Sequence, residues 1–118
     1  MRKMAADRSP PFLKGTLDIL VLKALAWTPM HGFELTQWLA DRSGSAFELD
    51  EAAIYQSLYR MESKELITGE WGMSGLGKRA RYYHLTAAGR AHLRREGARW
   101  KQYAAAVASI LDSAPDKA

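Results

Sequence analysis

The chain has no cysteine among its 118 residues. That absence excludes disulfide frameworks, cysteine-ligated zinc, iron–sulfur clusters and thiol nucleophiles. Long apolar runs are missing too. The longest stretch low in charge, residues 19–22, is far short of the ~20 residues a bilayer-crossing helix needs, so no membrane partner is expected. Arg2, Lys3, Asp7 and Arg8 precede Pro10-Pro11 with no apolar segment behind them, and no signal peptide is expected. Catalytic patterns are lacking as well. His31, His84 and His92 share no ligand spacing, and no serine sits in a nucleophile elbow. Gly72, Gly75 and Gly77 lack the Lys-Ser/Thr pair and the following helix of a phosphate loop. The expectation is therefore no metal, no cofactor and no enzyme activity.

What is present describes one soluble core. Apolar residues make up 47% and charged residues 25%, both ordinary for a globular domain. The length holds one core and one additional element. The formal net charge of +4 favours an anionic partner only weakly, and its distribution says more. Residues 48–70 hold six acids against Arg60 and Lys64, whereas residues 71–85 hold Lys78, Arg79 and Arg81 and no acid. The segment after residue 85 is again basic, with Arg90, Arg94, Arg95, Arg99 and Lys101 facing Glu96.

Residues 1–11 read as a flexible arm. A helix is expected over 12–27 from the spacing of Leu17, Leu20, Val21, Ala24 and Leu25, with Thr16 as N-cap and Asp18 suiting the positive helix end. Pro29 ends it. A second helix at 31–41 starts at His31, for which a capping role is expected, and stops at Ser43-Gly44. Residues 46–49 could be extended. Asp50 caps a third helix at 51–64 with Ile54, Leu58 and Met61 on its inner stripe. Strands are expected at 66–71 and 81–85 around a glycine-rich turn at 72–77. Thr86 caps a last helix reaching to about residue 111, and 113–118 reads as a frayed tail.

That order gives a mainly α fold with a small β-hairpin: a winged helix-turn-helix over 12–85, followed by a long dimerisation helix over 86–112. On the third helix, Tyr55, Gln56, Tyr59 and Arg60 offer hydrogen-bonding groups, while Ala52 and Ala53 permit close approach to a groove. An ordinary solvated amphipathic helix would show many of the same residues. The acid-free wing with Lys78, Arg79 and Arg81 suits phosphates or a minor groove. Double-stranded DNA is the partner the two elements share. On the last helix, Leu93, Trp100, Tyr103, Val107 and Ile110 recur close to a heptad seam. The stripe needs a cover, either a second copy of the chain or the first helix of the same chain.

Four ordered segments resemble the PadR-like transcriptional regulators: Leu17-Asp18-Ile19-Leu20-Val21-Leu22, Met30-His31-Gly32-Phe33-Glu34-Leu35, the stretch from Ile54 to Glu62, and the stretch from Arg79 to Gly89. The single terminal helix is similar to the smaller members. The resemblance implies a homodimeric DNA-binding protein in the cytoplasm, usually a repressor, in which Tyr55 and its neighbours and the basic wing face DNA. It implies dimerisation through the last helix against the partner's first helix. Some members bind flat aromatic or lipophilic compounds between subunits, which makes Trp100 a candidate for an effector pocket; ordinary interface packing is the alternative. Many relatives have proline where this chain has Gln56, so the target sequence does not transfer. A winged protein–protein adaptor is the competing function, and the acid-free wing argues against it. A regulator of the MarR or ArsR type is the competing family, against which the His31-Gly32-Phe33 run counts.

Overall fold

The computed structural model describes residues 15–47 and 49–115. The expected arm at 1–11, the expected helix start at 12–14, Glu48 and residues 116–118 of the expected tail lie outside the described residues. Helix α1 (Leu17–Trp27) is the centre of the fold. It buries Leu17, Val21, Leu22, Ala24 and Leu25, which span more than one side, because helices and the hairpin pack around it. Thr16 stands at its N-cap, and the extended Thr28 ends it. Helix α2 (Gly32–Arg42) opens with a reciprocal cap. His31 Nδ1 accepts from the Glu34 N–H at 3.3 Å, and the Glu34 carboxylate accepts from the His31 N–H at 3.1 Å. Gly44 takes the left-handed conformation expected of a terminator, with φ of 64°. Arg42 lies 4.7 Å from the Trp27 ring centroid and 4.9 Å from that of Trp38, fastening the end of α1 to α2.

The extended stretch expected at 46–49 is not a strand among its described residues. Leu49 drops into the core instead, and its burial decides the path of this connection. Helix α3 (Glu51–Ser63) begins where Asp50 accepts from the Ala53 N–H at 2.9 Å. It buries Ile54, Ser57, Leu58 and Met61.

Strands β1 (Ile67–Met73) and β2 (Arg79–Leu85) pair antiparallel, with Ile67 opposite Leu85 and Met73 opposite Arg79. Both run two residues further toward the tip than expected, and the loop shrinks to residues 74–78. Pairing of Gly72 with Ala80 carries the ladder outward, and the missing side chain at Gly72 admits the Tyr82 ring. Met30 adds a single bridge on the other side of β2, where its carbonyl accepts from the Tyr83 N–H at 2.9 Å.

Helix α4 (Ala87–Leu111) starts at Thr86, whose hydroxyl accepts from the Gly89 N–H at 2.9 Å. Gly89 sits so close to the sheet that a Cβ there would fall 2.1 Å from the Leu66 carbonyl oxygen. The first half of α4 lies along α1, with Leu93 against the common core. The second half of α4 runs past the domain and is largely exposed. Three helices, a hairpin and a trailing helix make a winged helix-turn-helix. No helix among the described residues is long and apolar enough to cross a membrane.

Candidate nucleic-acid interface

The outer side of α3 is set by what its inner side must bury. With Ile54, Ser57, Leu58 and Met61 turned inward, Ala52, Tyr55, Gln56, Tyr59 and Arg60 are left exposed. Ala53 behaves differently from its expected role, being half-buried against the core. Tyr59 is 75% exposed, against 49% for Tyr55. The Tyr55 ring crosses the start of α2, where a Cβ on Gly32 would lie 2.5 Å from the phenol oxygen. Gly32 thus fixes where Tyr55 stands, a role that its place after a capping residue conceals in the sequence.

Arg60 is not a free cation. Its Nη2 donates to Asp18 Oδ1 at 2.7 Å, and its Nε donates to the other carboxylate oxygen at 3.4 Å. The fully buried Ser57 hydroxyl donates to the same carboxylate at 2.6 Å. The bond to Asp18 holds the Arg60 guanidinium above its already high ordinary pKa. Asp18 therefore ties α1 to α3, beyond the helix-end role its position in the first turn suggests.

On the hairpin, Trp71, Met73, Arg79, Arg81 and Tyr83 share the face turned toward α2 and α3. Arg79 lies 4.6 Å from the Trp71 ring centroid. Neither Lys78 nor Arg79 forms an ion pair with a described residue, and both are exposed. Arg81 instead donates to the Glu62 carboxylate, which raises its pKa. The tip is organised by Ser74, whose hydroxyl oxygen accepts from the N–H groups of Leu76 and Lys78, each at 3.3 Å. Sequence reasoning missed Ser74; a serine opening a short loop that ends in a left-handed Gly77 is the available signal. Between this face and the ends of α2 and α3 lies a cleft of about 890 Å³, walled by Phe33, Tyr55, Trp71, Leu76 and Arg79.

None of the described acids of the 48–70 stretch lines this cleft: Asp50 caps α3, Glu62 is paired, and Glu70 stands on the opposite hairpin face, 3.3 Å from His84. The carboxylate on the cleft wall is that of Glu34, held in the α2 cap.

Residues 21–95 match the transcriptional regulator PadR-like family. The chain belongs to that family. Its members are transcriptional regulators, not enzymes, and the PadR-like fold accounts for the order of helices and wing. A PadR-like regulator from Bacillus cereus is similar at 28% identity and a TM-score of 0.77, covering 89% of this chain and 100% of its own. A PadR family regulator from hypervirulent Clostridium difficile reaches 32% identity and 0.70, covering 82% and 99%. An uncharacterised protein of Lysinibacillus sphaericus is 30% identical over 100 residues, 85% of this chain and 88% of that one.

In this PadR-like chain the residues expected at a dimer interface divide into two groups. Leu93 is half-buried against the chain's own core. Trp100, Tyr103, Val107 and Ile110 remain open, Ile110 at 73%. Trp100 stands at the end of a second groove of about 730 Å³ between α1 and α4, floored by Ile19, Leu20, Phe47 and Leu93.

Proposed function

We propose that this chain is a cytoplasmic, homodimeric repressor that binds a pseudo-palindromic DNA site. The observation that carries the reading is the shared cleft. Tyr55 of α3 and Arg79 of the wing wall the same cleft, Gln56 and Tyr59 are exposed on the same helix and Lys78 next to Arg79, and among the described residues no acid of the 48–70 stretch lines that cleft. In this reading the start of α3 enters the major groove, with Ala52 against the bases and Gln56 or Tyr55 reading them. Lys78 and Arg79 hold flanking phosphates. Two copies joined through Trp100, Tyr103, Val107 and Ile110 place their reading helices about one helical turn apart. A small aromatic or lipophilic compound seated against Trp100 would change that separation and release the DNA.

The test is fluorescence anisotropy on the duplex flanking the protein's own coding region, run across a salt series. Wild-type protein is expected to bind, and Arg79→Ala to flatten the log–log salt slope by about one. Absence of binding to this and to random duplex at low salt would favour a protein–protein adaptor instead.

A further inference from the structure

Arg81 has the sequence credentials of a DNA contact, being a cation in an acid-free wing. Its geometry gives it another task. The guanidinium lies flat on the neighbouring strand, over Gly69, where a Cβ would fall 2.5 Å from Nε and 2.7 Å from Cζ. Trp71 and Tyr83 flank it at 5.9 and 5.8 Å from their ring centroids. Its Nη2 is spent on the Glu62 carboxylate of α3. The two side chains are about one-third exposed, 33% and 36%. A phosphate-binding arginine needs its fork turned outward. This one is turned inward, across the seam between the hairpin and α3.

We infer that Arg81 and Glu62 are positioning residues that pin the wing to α3, and that Arg81 contacts no phosphate. Gly69 is the third part of the device, since any side chain there would lift the guanidinium off the strand. The pin fixes the distance between the groove-reading residues on α3 and the phosphate-holding pair Lys78 and Arg79. The inference rests on the DNA-binding reading above and assigns Arg81 a role within it that charge alone would not.

The experiment uses the full-length dimer and a duplex of about 30 base pairs, three helical turns, selected by the wild-type protein from a randomised pool. Affinity is measured from low to moderate salt for wild type, Arg79→Ala, Arg81→Leu, Glu62→Gln, Gly69→Ala and the reciprocal swap Glu62→Arg with Arg81→Glu. Arg81→Leu is expected to weaken binding about two- to fivefold, the range of a partly exposed pair, with the salt slope unchanged. Glu62→Gln is expected to weaken it similarly, although it removes a negative charge next to a polyanion. Gly69→Ala, which keeps both charges, should do the same, and the swap should recover most of the loss. Thermal melts followed by circular dichroism show that each variant is folded. A slope reduced by about one in Arg81→Leu would overturn the inference. So would tighter binding by Glu62→Gln, or an unchanged affinity in Gly69→Ala. Failure of the wild type to select any duplex would instead overturn the DNA-binding reading, and this assignment with it.

Discussion

Two glycines of α4 show how far the effect of one residue depends on its surroundings. Gly89 meets backbone: a Cβ would sit 2.1 Å from the Leu66 carbonyl oxygen, which is itself held by the Thr86 N–H and hydroxyl. Gly89→Ala should therefore lower stability by at least about 2 kcal/mol, read from the urea midpoint, because α4 must separate from the sheet. Gly97 has open space around its Cβ position. Gly97→Ala should raise the midpoint by about 1 kcal/mol through helix propensity; a drop would show that a second chain packs there. The sequence distinguishes the two poorly, since both are glycines in one helical pattern. Tyr83 gives a residue-level pH effect. Burial raises its phenol above the usual value of 10.0, against a smaller downward pull from Arg81. The unfolded chain then loses that proton first, so stability falls as pH climbs through about 10. Urea midpoints between about pH 9 and 11 should decline in the wild type and flatten in Tyr83→Phe.

Among elements, the joint between α1 and α3 is the most specified. Asp18 accepts from a fully buried hydroxyl and from a guanidinium half open to water. Asp18→Asn keeps an acceptor for Ser57 and loses an exposed ion pair, for about 1 kcal/mol or less. Asp18→Ala leaves the buried Ser57 hydroxyl without that acceptor and should cost about 1–3 kcal/mol. Equal midpoints for the two variants would show that Ser57 finds another partner. The existence of every helix and of the hairpin was legible in the sequence, because caps at Asp50 and Thr86 and the stripe Ile54, Leu58 and Met61 are local signals. The strand ends were not. They depend on Gly72 opposite Ala80 and on Met30 bridging Tyr83, which are pairings across the chain.

For the whole molecule, the deciding feature is a helix that outruns its domain. Residues Tyr103, Ile110 and Leu111 are 68%, 73% and 77% exposed in the single chain. Apolar groups that open call for a cover, and in the proposed dimer the second copy supplies it. Ile110→Asp should give monomers by sedimentation with little loss of helix content, since Ile110 touches no part of its own core. A dimer of unaltered strength would remove the end of α4 from the interface. The wild-type melting temperature should rise with protein concentration, as mass action requires of an associating chain.

By itself, the sequence determined the order of elements, the inner face of each helix and the family, because periodicity, caps and short motifs act between residues a few positions apart. It also placed positive charge on the wing. Which of those charges are open was decided only by the tertiary structure. Arg60 meets Asp18 across 42 positions and Arg81 meets Glu62 across 19, while Lys78 and Arg79 are left exposed. Ion pairs form where the fold brings charges within reach, and a count of bases and acids along the chain carries no such distance.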